Sequence, residues 1–264
     1  MSSKLRGGYR LLRIIAYLFY GLWLTLRYGF GPAGETRMAE IRRRWYRRAM
    51  ALAGVEIRVH GRAPDGPALV VANHVSWLDI PVLGAVLDLR FLSKAEVARW
   101  PLIGWLARRN GTLFIHRGAH RSSQILRDMA QALAARQRVV LFPEATTTTG
   151  TEVRHFHPRL FAAAVDTGTP VQPVAIEHER GPDGGPPVAA FVGGEWFMLH
   201  AWRILCQPRT VVQVHLLPQL PVTEASSRSE LADTARQAVR ATLGLPGDGR
   251  SAIAGDRRVP RRRA

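Results

Sequence analysis

Short apolar runs alternate with segments of helical spacing along the middle of this chain, from Val55 to Leu217. The runs are rich in β-branched residues and are bounded by turn residues, which predicts strands. The candidate strands are residues 55–60, 68–72, 112–115, 139–142, 171–176, 188–192 and 210–217. Apolar residues recur every three or four positions in residues 122–137 and 231–244, which predicts helices. Strands that alternate with helices indicate an α/β fold, with a mostly parallel central sheet flanked by helices.

The N-terminal pattern differs, because residues 14–26 are almost wholly apolar and lie between Arg13 and Arg27. As a helix these residues span about 20 Å, less than the ~30 Å hydrocarbon core of a membrane. The segment therefore predicts a helical membrane-associating element that either spans or only embeds. A secretory signal peptide is the alternative, with residues 31–34 as its cleavage site.

A second N-terminal helix is predicted over residues 35–54, where Met38, Ile41, Trp45 and Ala49 form one apolar stripe among arginines. Such a basic amphipathic helix is typical of a peptide that lies on anionic lipid. The alternative is a solvated basic helix that packs on its own domain through that stripe. The predicted organisation is membrane-associating helices at 1–54, an α/β domain at 55–243 and a disordered basic tail at 244–264.

Composition supports one globular domain with appendages, since 47% of the 264 residues are hydrophobic. The net charge of +17 comes almost entirely from arginine, and it predicts an anionic partner, either a membrane surface or nucleic acid. Because Cys206 is the only cysteine, the chain has no internal disulfide and no cysteine-based zinc cluster.

The predicted strand at 68–72 ends in polar residues that could perform proton transfer. Asn73 follows the strand, then His74, and Asp79 comes five residues later. Histidine can accept a proton from a hydroxyl, and a carboxylate on its other ring nitrogen would fix its tautomer. At this spacing the two side chains can meet only across a turn or a helix start. The alternative is a capping asparagine, a satisfied polar histidine and an aspartate in a first helical turn.

Polar residues also follow two further candidate strands. Arg117 ends one and could hold a phosphate bidentately, although an exposed arginine is the simpler interpretation. Glu144 follows the strand at 139–142, and the threonines from Thr146 to Thr149 offer hydroxyls to an oxygen-rich ligand. Because ligands bind at the carboxyl ends of strands in open α/β sheets, these positions indicate one site.

Other chemistries have weaker support. His155 and His157 invite a metal interpretation, but two ligands without a third do not make a site, so we expect no metal. The sequence contains no GxSxG, Walker A or GxGxxG motif, which argues against a serine hydrolase, an NTPase and a dinucleotide-binding enzyme.

The segment NHVSWLD at 73–79 resembles the NHxxxxD box of the glycerolipid acyltransferases, which acylate lysophosphatidate and related lysolipids. The other boxes follow in order: GTLFIHR at 111–117, FPEAT at 142–146 and VQPVAI at 171–176. Residues 91–107 are also similar to the family. The resemblance covers residues 55–217 and implies that the α/β domain is a membrane-bound acyltransferase.

By that resemblance His74 is the general base and Asp79 orients it. The resemblance associates Arg117 and Glu144 with binding of the acceptor's head group. Glu144 lies in the third box, which ends at Thr146. Pro173, in the fourth box, is associated with a substrate pocket. An oxyanion formed in the reaction would need donors, and Asn73 or nearby backbone amides are the candidates.

The implied partners are membrane lipids, a lysolipid acceptor, and acyl-CoA or acyl carrier protein as co-substrate, with no separate cofactor. We expect the α/β domain on the cytoplasmic face of the inner membrane, where acyl thioesters occur. The expected reaction is esterification of lysophosphatidate to phosphatidic acid. The alternatives from other classes are a nucleic-acid-binding protein, which the charge suggests, and a membrane scaffold without catalysis; we expect no nucleic-acid partner.

The third box departs from the family pattern in a way that bears on the acceptor. Ala145 replaces the usual glycine, and Thr147 stands where lysophosphatidate enzymes often have arginine. A neutral hydroxyl binds phosphate less well than a guanidinium does. Residues 144–161 and 196–208 are more similar to the lyso-ornithine lipid acyltransferases, which use the same chemistry on an aminolipid. That acceptor is the alternative.

Overall fold

A computed structural model describes residues 2–28, 36–94, 97–99, 104–105, 112–115, 119–181 and 183–246. The helices are α1 (Ser3–Tyr28), α2 (Thr36–Ala53), α3 (Asp79–Val86), α4 (Ala119–Ala134), α5 (Ala162–Thr167), α6 (Phe197–Cys206) and α7 (Arg228–Thr242). The strands are β1 (Val55–Gly61), β2 (Ala68–Ala72), β3 (Arg90–Lys94), β4 (Leu113–Ile115), β5 (Arg138–Leu141), β6 (Val171–His178) and β7 (Thr210–Leu216). Short 3-10 helices cover Val97–Arg99 and Pro158–Phe161.

The strands form one seven-stranded sheet in the order β1-β7-β6-β2-β5-β3-β4. Five neighbouring strands, from β6 to β4, run in the same direction. β7 pairs antiparallel with β6, and β1 pairs parallel with β7, so these two strands run the opposite way. The predicted α/β class with a mostly parallel sheet is therefore confirmed.

Strand β2 lies at the centre of the sheet and is buried on both faces. Leu69 and Val71 pack against a cluster that includes residues of α4, α5 and α7. Val70 and Ala72 pack on the other face, in a cluster with residues of α2, α3 and α6. A continuous apolar run is what a strand needs when helices cover both faces of its sheet. This burial fixes the position of the chain that leaves β2.

Two strand predictions differ from the structure. Residues 188–192 were expected to form a strand but form a turn, in which the amide of Ala190 donates to the carbonyl of Pro187 at 2.9 Å. The amide of Phe191 donates to the carbonyl of Val75 at 2.9 Å, so this apolar run packs on the loop after β2. Strand β3 was not predicted, because its sequence RFLSK mixes charged and polar residues with only two apolar ones.

The two N-terminal helices pack on the domain. α1 is 26 residues long, yet no helix in the described part of the chain is both long and apolar enough to cross a membrane. Ile41 of the predicted stripe of α2 is exposed, so the stripe does not pack on the domain at this position. Arg42 is buried instead, and its Nε and Nη2 donate to Oδ1 of Asp88 at 2.9 and 2.6 Å. That ion pair allows a charged side chain on the packed face. The division at residue 54 stays a prediction.

Candidate active site

The candidate site lies where three adjacent parallel strands end. β2 continues into His74, β5 continues into the loop with Glu144, and β6 ends at His178. Since β2 pairs with both β5 and β6, the residues that follow these strands meet at one edge of the sheet. The sheet therefore collects titratable side chains that are as much as 104 residues apart in sequence (178 − 74).

Asp79 is the first residue of α3, and its side chain folds back over the loop that precedes the helix. Its Oδ2 accepts the backbone amides of Val75 and Ser76 at 2.8 and 2.9 Å. The same oxygen lies 2.8 Å from Nδ1 of His74. The helix start thus supplies the turn that brings His74 and Asp79 together.

Asp79 is fully buried, and its surroundings favour the ionised form. Burial opposes its ionisation, but hydrogen bonds from His178 and His74 outweigh this and hold the pKa of the carboxyl well below its usual range. A carboxylate can only accept hydrogen bonds, so the ring nitrogen of His74 that faces it carries a proton. In the neutral imidazole this tautomer places the lone pair on Nε2, which can then act as a base.

The main chain of His74 is held at both of its polar groups by the loop after β5. Its amide donates to Oε1 of Glu144 at 2.8 Å, and its carbonyl accepts the amide of Thr148 at 2.8 Å. The imidazole stacks on Phe142, with ring centroids 3.9 Å apart. The side chain is 18% exposed, so the ring is fixed but open to a substrate.

Glu144 is buried, and both of its carboxyl oxygens accept backbone amides. Oε1 accepts His74, and Oε2 accepts the amide of Arg154 at 2.8 Å. Burial raises the pKa of Glu144 to about 7, although these two hydrogen bonds act in the opposite direction. In this conformation Glu144 joins the loop after β2 to the loop after β5.

Ala145 has a φ of +58°, in the left-handed region. Its amide donates to the carbonyl of Phe142 at 3.1 Å, which closes a turn through Pro143. Glycine adopts this conformation without steric cost, whereas in alanine the Cβ atom lies too close to the backbone. Ala145 is therefore held in a strained backbone conformation.

The remaining predicted site residues do not cluster around His74 in the same way. Asn73 is buried, and its side-chain amide bonds the backbone of Ile176, donating at 2.9 Å and accepting at 2.8 Å. Pro173 lies inside the sheet opposite Val71. Thr146 is exposed, and Arg117 lies outside the described residues.

The structure adds one residue that the sequence reasoning missed, His178, and it gives Thr148 a contact with His74 in place of the expected contact with a ligand. Nε2 of His178 lies 2.7 Å from Oδ1 of Asp79. Thr148 is buried, and its amide holds the carbonyl of His74. His178 lies two residues after a predicted strand, so the rule that directed attention to the ends of other strands would also have found it.

The paired histidines of the sequence remain apart from this site. The rings of His155 and His157 are exposed, with centroids 5.7 Å apart. Within the described ranges, no three histidine, cysteine, aspartate or glutamate side chains are close enough together to hold a metal ion.

Comparison with known proteins identifies similar chains. A family model described as Acyltransferase matches residues 56–177. The chain is 44% identical over 247 residues to the lyso-ornithine lipid O-acyltransferase of Pseudomonas aeruginosa, covering 91% of this chain and 95% of that protein. It is 34% identical over 200 residues to the 1-acyl-sn-glycerol-3-phosphate acyltransferase of Neisseria gonorrhoeae, covering 74% of this chain and 77% of that protein.

The fold is also similar to a solved structure, the 1-acyl-sn-glycerophosphate acyltransferase of Thermotoga maritima. The TM-score is 0.69, and the match covers 91% of this chain and 94% of the other. The sequence identity is 22%, so this likeness concerns the fold.

Proposed function

Because this chain belongs to the acyltransferase family, we propose that it transfers a fatty acyl group from an acyl thioester to the free hydroxyl of a lysolipid, and that lyso-ornithine lipid is its preferred acceptor. The observation that carries the chemistry is the contact between Nδ1 of His74 and the buried carboxylate of Asp79. It leaves Nε2 of His74 as the base that the reaction needs.

The reaction follows from that geometry. Nε2 of His74 takes the proton of the acceptor hydroxyl while its oxygen attacks the thioester carbonyl carbon. Asp79 stabilises the imidazolium that forms. Collapse of the tetrahedral intermediate forms the ester and breaks the carbon–sulfur bond. The proton on His74 then passes to the leaving thiolate, which gives the free thiol and restores the base.

Two observations support an aminolipid acceptor. The Pseudomonas aeruginosa protein, which is 44% identical over 91% of this chain, is named a lyso-ornithine lipid O-acyltransferase. In addition, Thr147 stands where an arginine would favour a phosphate, and its hydroxyl donates to the carbonyl of Phe191, a bond within the chain. The described part of the third box therefore presents no cation to a phosphate at that position. Lysophosphatidate is the second candidate, favoured by the 34% identical relative from Neisseria gonorrhoeae.

Membrane association is proposed through exposed apolar residues on two adjoining helices, α1 and α6. The exposed side chains of this apolar face are Leu5, Tyr9, Leu12, Phe19 and Trp23 of α1 and Trp196, Met198 and Leu199 at the start of α6. Arg10 joins the helices, because its guanidinium donates to the carbonyls of Leu205, Gln207 and Pro208 at 3.1, 2.6 and 2.9 Å. An exposed apolar face on a strongly basic protein suits the surface of an anionic bilayer. We propose the cytoplasmic side of the membrane, because acyl thioesters occur there.

Vesicle binding tests this face. Leu12→Glu and Leu199→Glu should each weaken co-sedimentation with vesicles that contain anionic lipid. Val59→Glu is the matched control, because Val59 is an exposed apolar residue on β1, outside the apolar face. Equal loss of binding in all three variants would contradict the assignment of the face.

Acyl transfer by the purified protein in mixed micelles tests the acceptor and the donor. Lyso-ornithine lipid and lysophosphatidate are offered side by side, once with labelled acyl-CoA and once with labelled acyl carrier protein. We expect the label chiefly in the aminolipid product, and a preference for lysophosphatidate would refute the acceptor. His74→Ala should lower the rate by at least about 100-fold while vesicle binding is retained. An unchanged rate in that variant would remove the mechanism.

A further inference from the structure

His178 is a buried histidine at the end of β6 that contacts the carboxylate of the candidate catalytic pair. Its side chain is fully buried, as is that of Asp79. Nε2 lies 2.7 Å from Oδ1 of Asp79, the oxygen that His74 does not contact. Nδ1 is also buried and has no hydrogen-bond partner among the described residues.

The strand positions His178 for this contact. Side chains alternate between the two faces of a strand, so His178 shares a face of β6 with Val174 and Ile176. Those two residues belong to the core cluster that also contains residues of α3, which begins at Asp79. The direction of the side chain is therefore set by the register of the central sheet.

The four hydrogen bonds to Asp79 divide between its two oxygens. Oδ2 accepts His74 and the amides of Val75 and Ser76, all from the loop that contains the base. Among the described residues, Oδ1 accepts only from His178, which lies on a different strand. Since an ionised carboxylate is acceptor-only, Nε2 of His178 must carry the proton. Without that donor, one oxygen of a buried carboxylate would have no partner, and nothing from the sheet would fix the plane of the group.

A buried nitrogen without a partner costs free energy, so a histidine is an expensive side chain for this position unless its other nitrogen is needed. From these contacts we propose that His178 is a positioning residue for acyl transfer, which holds the Asp79 carboxylate so that Oδ2 stays directed at Nδ1 of His74. His178 acts through Asp79, and the inference rests on the acyl transfer proposed above.

The different side-chain lengths of glutamine and asparagine allow a test of this positioning role. The amide nitrogen of glutamine reaches about as far along the side chain as Nε2 of histidine, whereas that of asparagine is one methylene shorter. His178→Gln keeps the donor to Asp79, and His178→Asn withdraws it at a similar polarity. His178→Leu removes it altogether. His60→Gln is the control, because His60 is an exposed histidine on β1 that bonds Gln213 at 3.2 Å.

We expect kcat to fall about 100-fold in His178→Asn and His178→Leu, with KM within about twofold of wild type. We expect His178→Gln to stay within about tenfold and His60→Gln to be unchanged. Circular dichroism confirms that each variant is folded. If the leucine variant does not fold, the glutamine and asparagine variants carry the comparison. The inference is overturned if the asparagine variant keeps its kcat, or if the glutamine variant loses as much as the asparagine variant does.

A second measurement needs no lipid substrate, so it separates this inference from the proposed function. Diethyl pyrocarbonate labels the unprotonated imidazole of His74, and peptide mass spectrometry follows the rate against pH. Loss of the donor leaves more of the Asp79 charge to act on His74, so the labelling curve should move to higher pH in His178→Asn but not in His178→Gln. Glu144 also acts electrostatically on Asp79 and is present in every variant, whereas His200 acts on His178 itself. Coincident curves would refute the positioning role, even if neither lipid is acylated.

Discussion

The role of Glu144 gives a prediction that separates two interpretations of the third box. The resemblance associates this residue with the acceptor's head group, yet in the structure both of its oxygens accept backbone amides, from His74 and Arg154. Glu144→Gln preserves the size of the side chain. It keeps one accepting oxygen and turns an amide group towards the other backbone donor, which then has no acceptor.

The magnitude follows from those two contacts. The substitution leaves one buried donor without an acceptor, which costs about 1 to 3 kcal/mol. We therefore expect the free energy of unfolding to fall by about 2 kcal/mol. Because one of the donors is the amide of His74, kcat should fall with it, whereas KM for the acceptor should not rise.

The assay is urea unfolding followed by tryptophan fluorescence, together with initial rates over a range of acceptor concentrations. Glu152→Gln is the matched control: Glu152 lies in the same loop, its side chain is 58% exposed, and the substitution removes the same charge. The reasoning is refuted if Glu144→Gln unfolds within about 0.5 kcal/mol of wild type while KM rises several-fold. Glu144 would then bind the acceptor.

Three further outcomes are expected from urea unfolding. Ala145→Gly should stabilise the chain by about 1 kcal/mol, because φ at this residue is +58°, and equal or lower stability would contradict the strain. Wild-type stability should decline as pH rises from 4.5 to about 7, because burial raises the pKa of Glu144 to about 7 and the folded chain then binds more protons than the unfolded chain. Glu144→Gln should lack this decline. Arg42→Ala should cost about 2 kcal/mol by leaving Asp88 unpaired, whereas Arg44→Ala, at a 74% exposed side chain, should cost less than about 0.5 kcal/mol.

Much of the fold could be predicted because apolar runs indicate strands and a repeat of three to four residues indicates helices, and both patterns are local in the sequence. β2, β5 and β6 are short apolar runs, and α4 and α7 have clear helical periodicity. Residues 188–192 satisfied the same apolar pattern, but hydrogen bonding decides whether such a run is a strand. Phe191 bonds the loop after β2 rather than a neighbouring strand. Strand β3 failed the pattern because Arg90, Ser93 and Lys94 interrupt it.

The site was predictable only where its residues lie close together in the sequence. His74 and Asp79 are five residues apart, so a helix start was enough to bring them together. The contact of Asp79 with His178 spans 99 residues and depends on β6 lying beside β2, an order that the sequence pattern does not specify. The arrangement of Glu144 was hidden for a similar reason, since its partners are backbone amides and carry no side-chain signature.

Because β1 and β7 run opposite to the other five strands, the sheet has one rim that carries the candidate site and an opposite rim that does not. The carboxyl ends of these two strands, at Gly61 and Leu216, point away from the rim that carries His74. The connection that leaves β7 therefore emerges on the far side of the domain, and residues 223–225 within it are exposed. A fluorophore or an affinity tag inserted there would report on the whole protein while leaving lipid, thioester and base undisturbed.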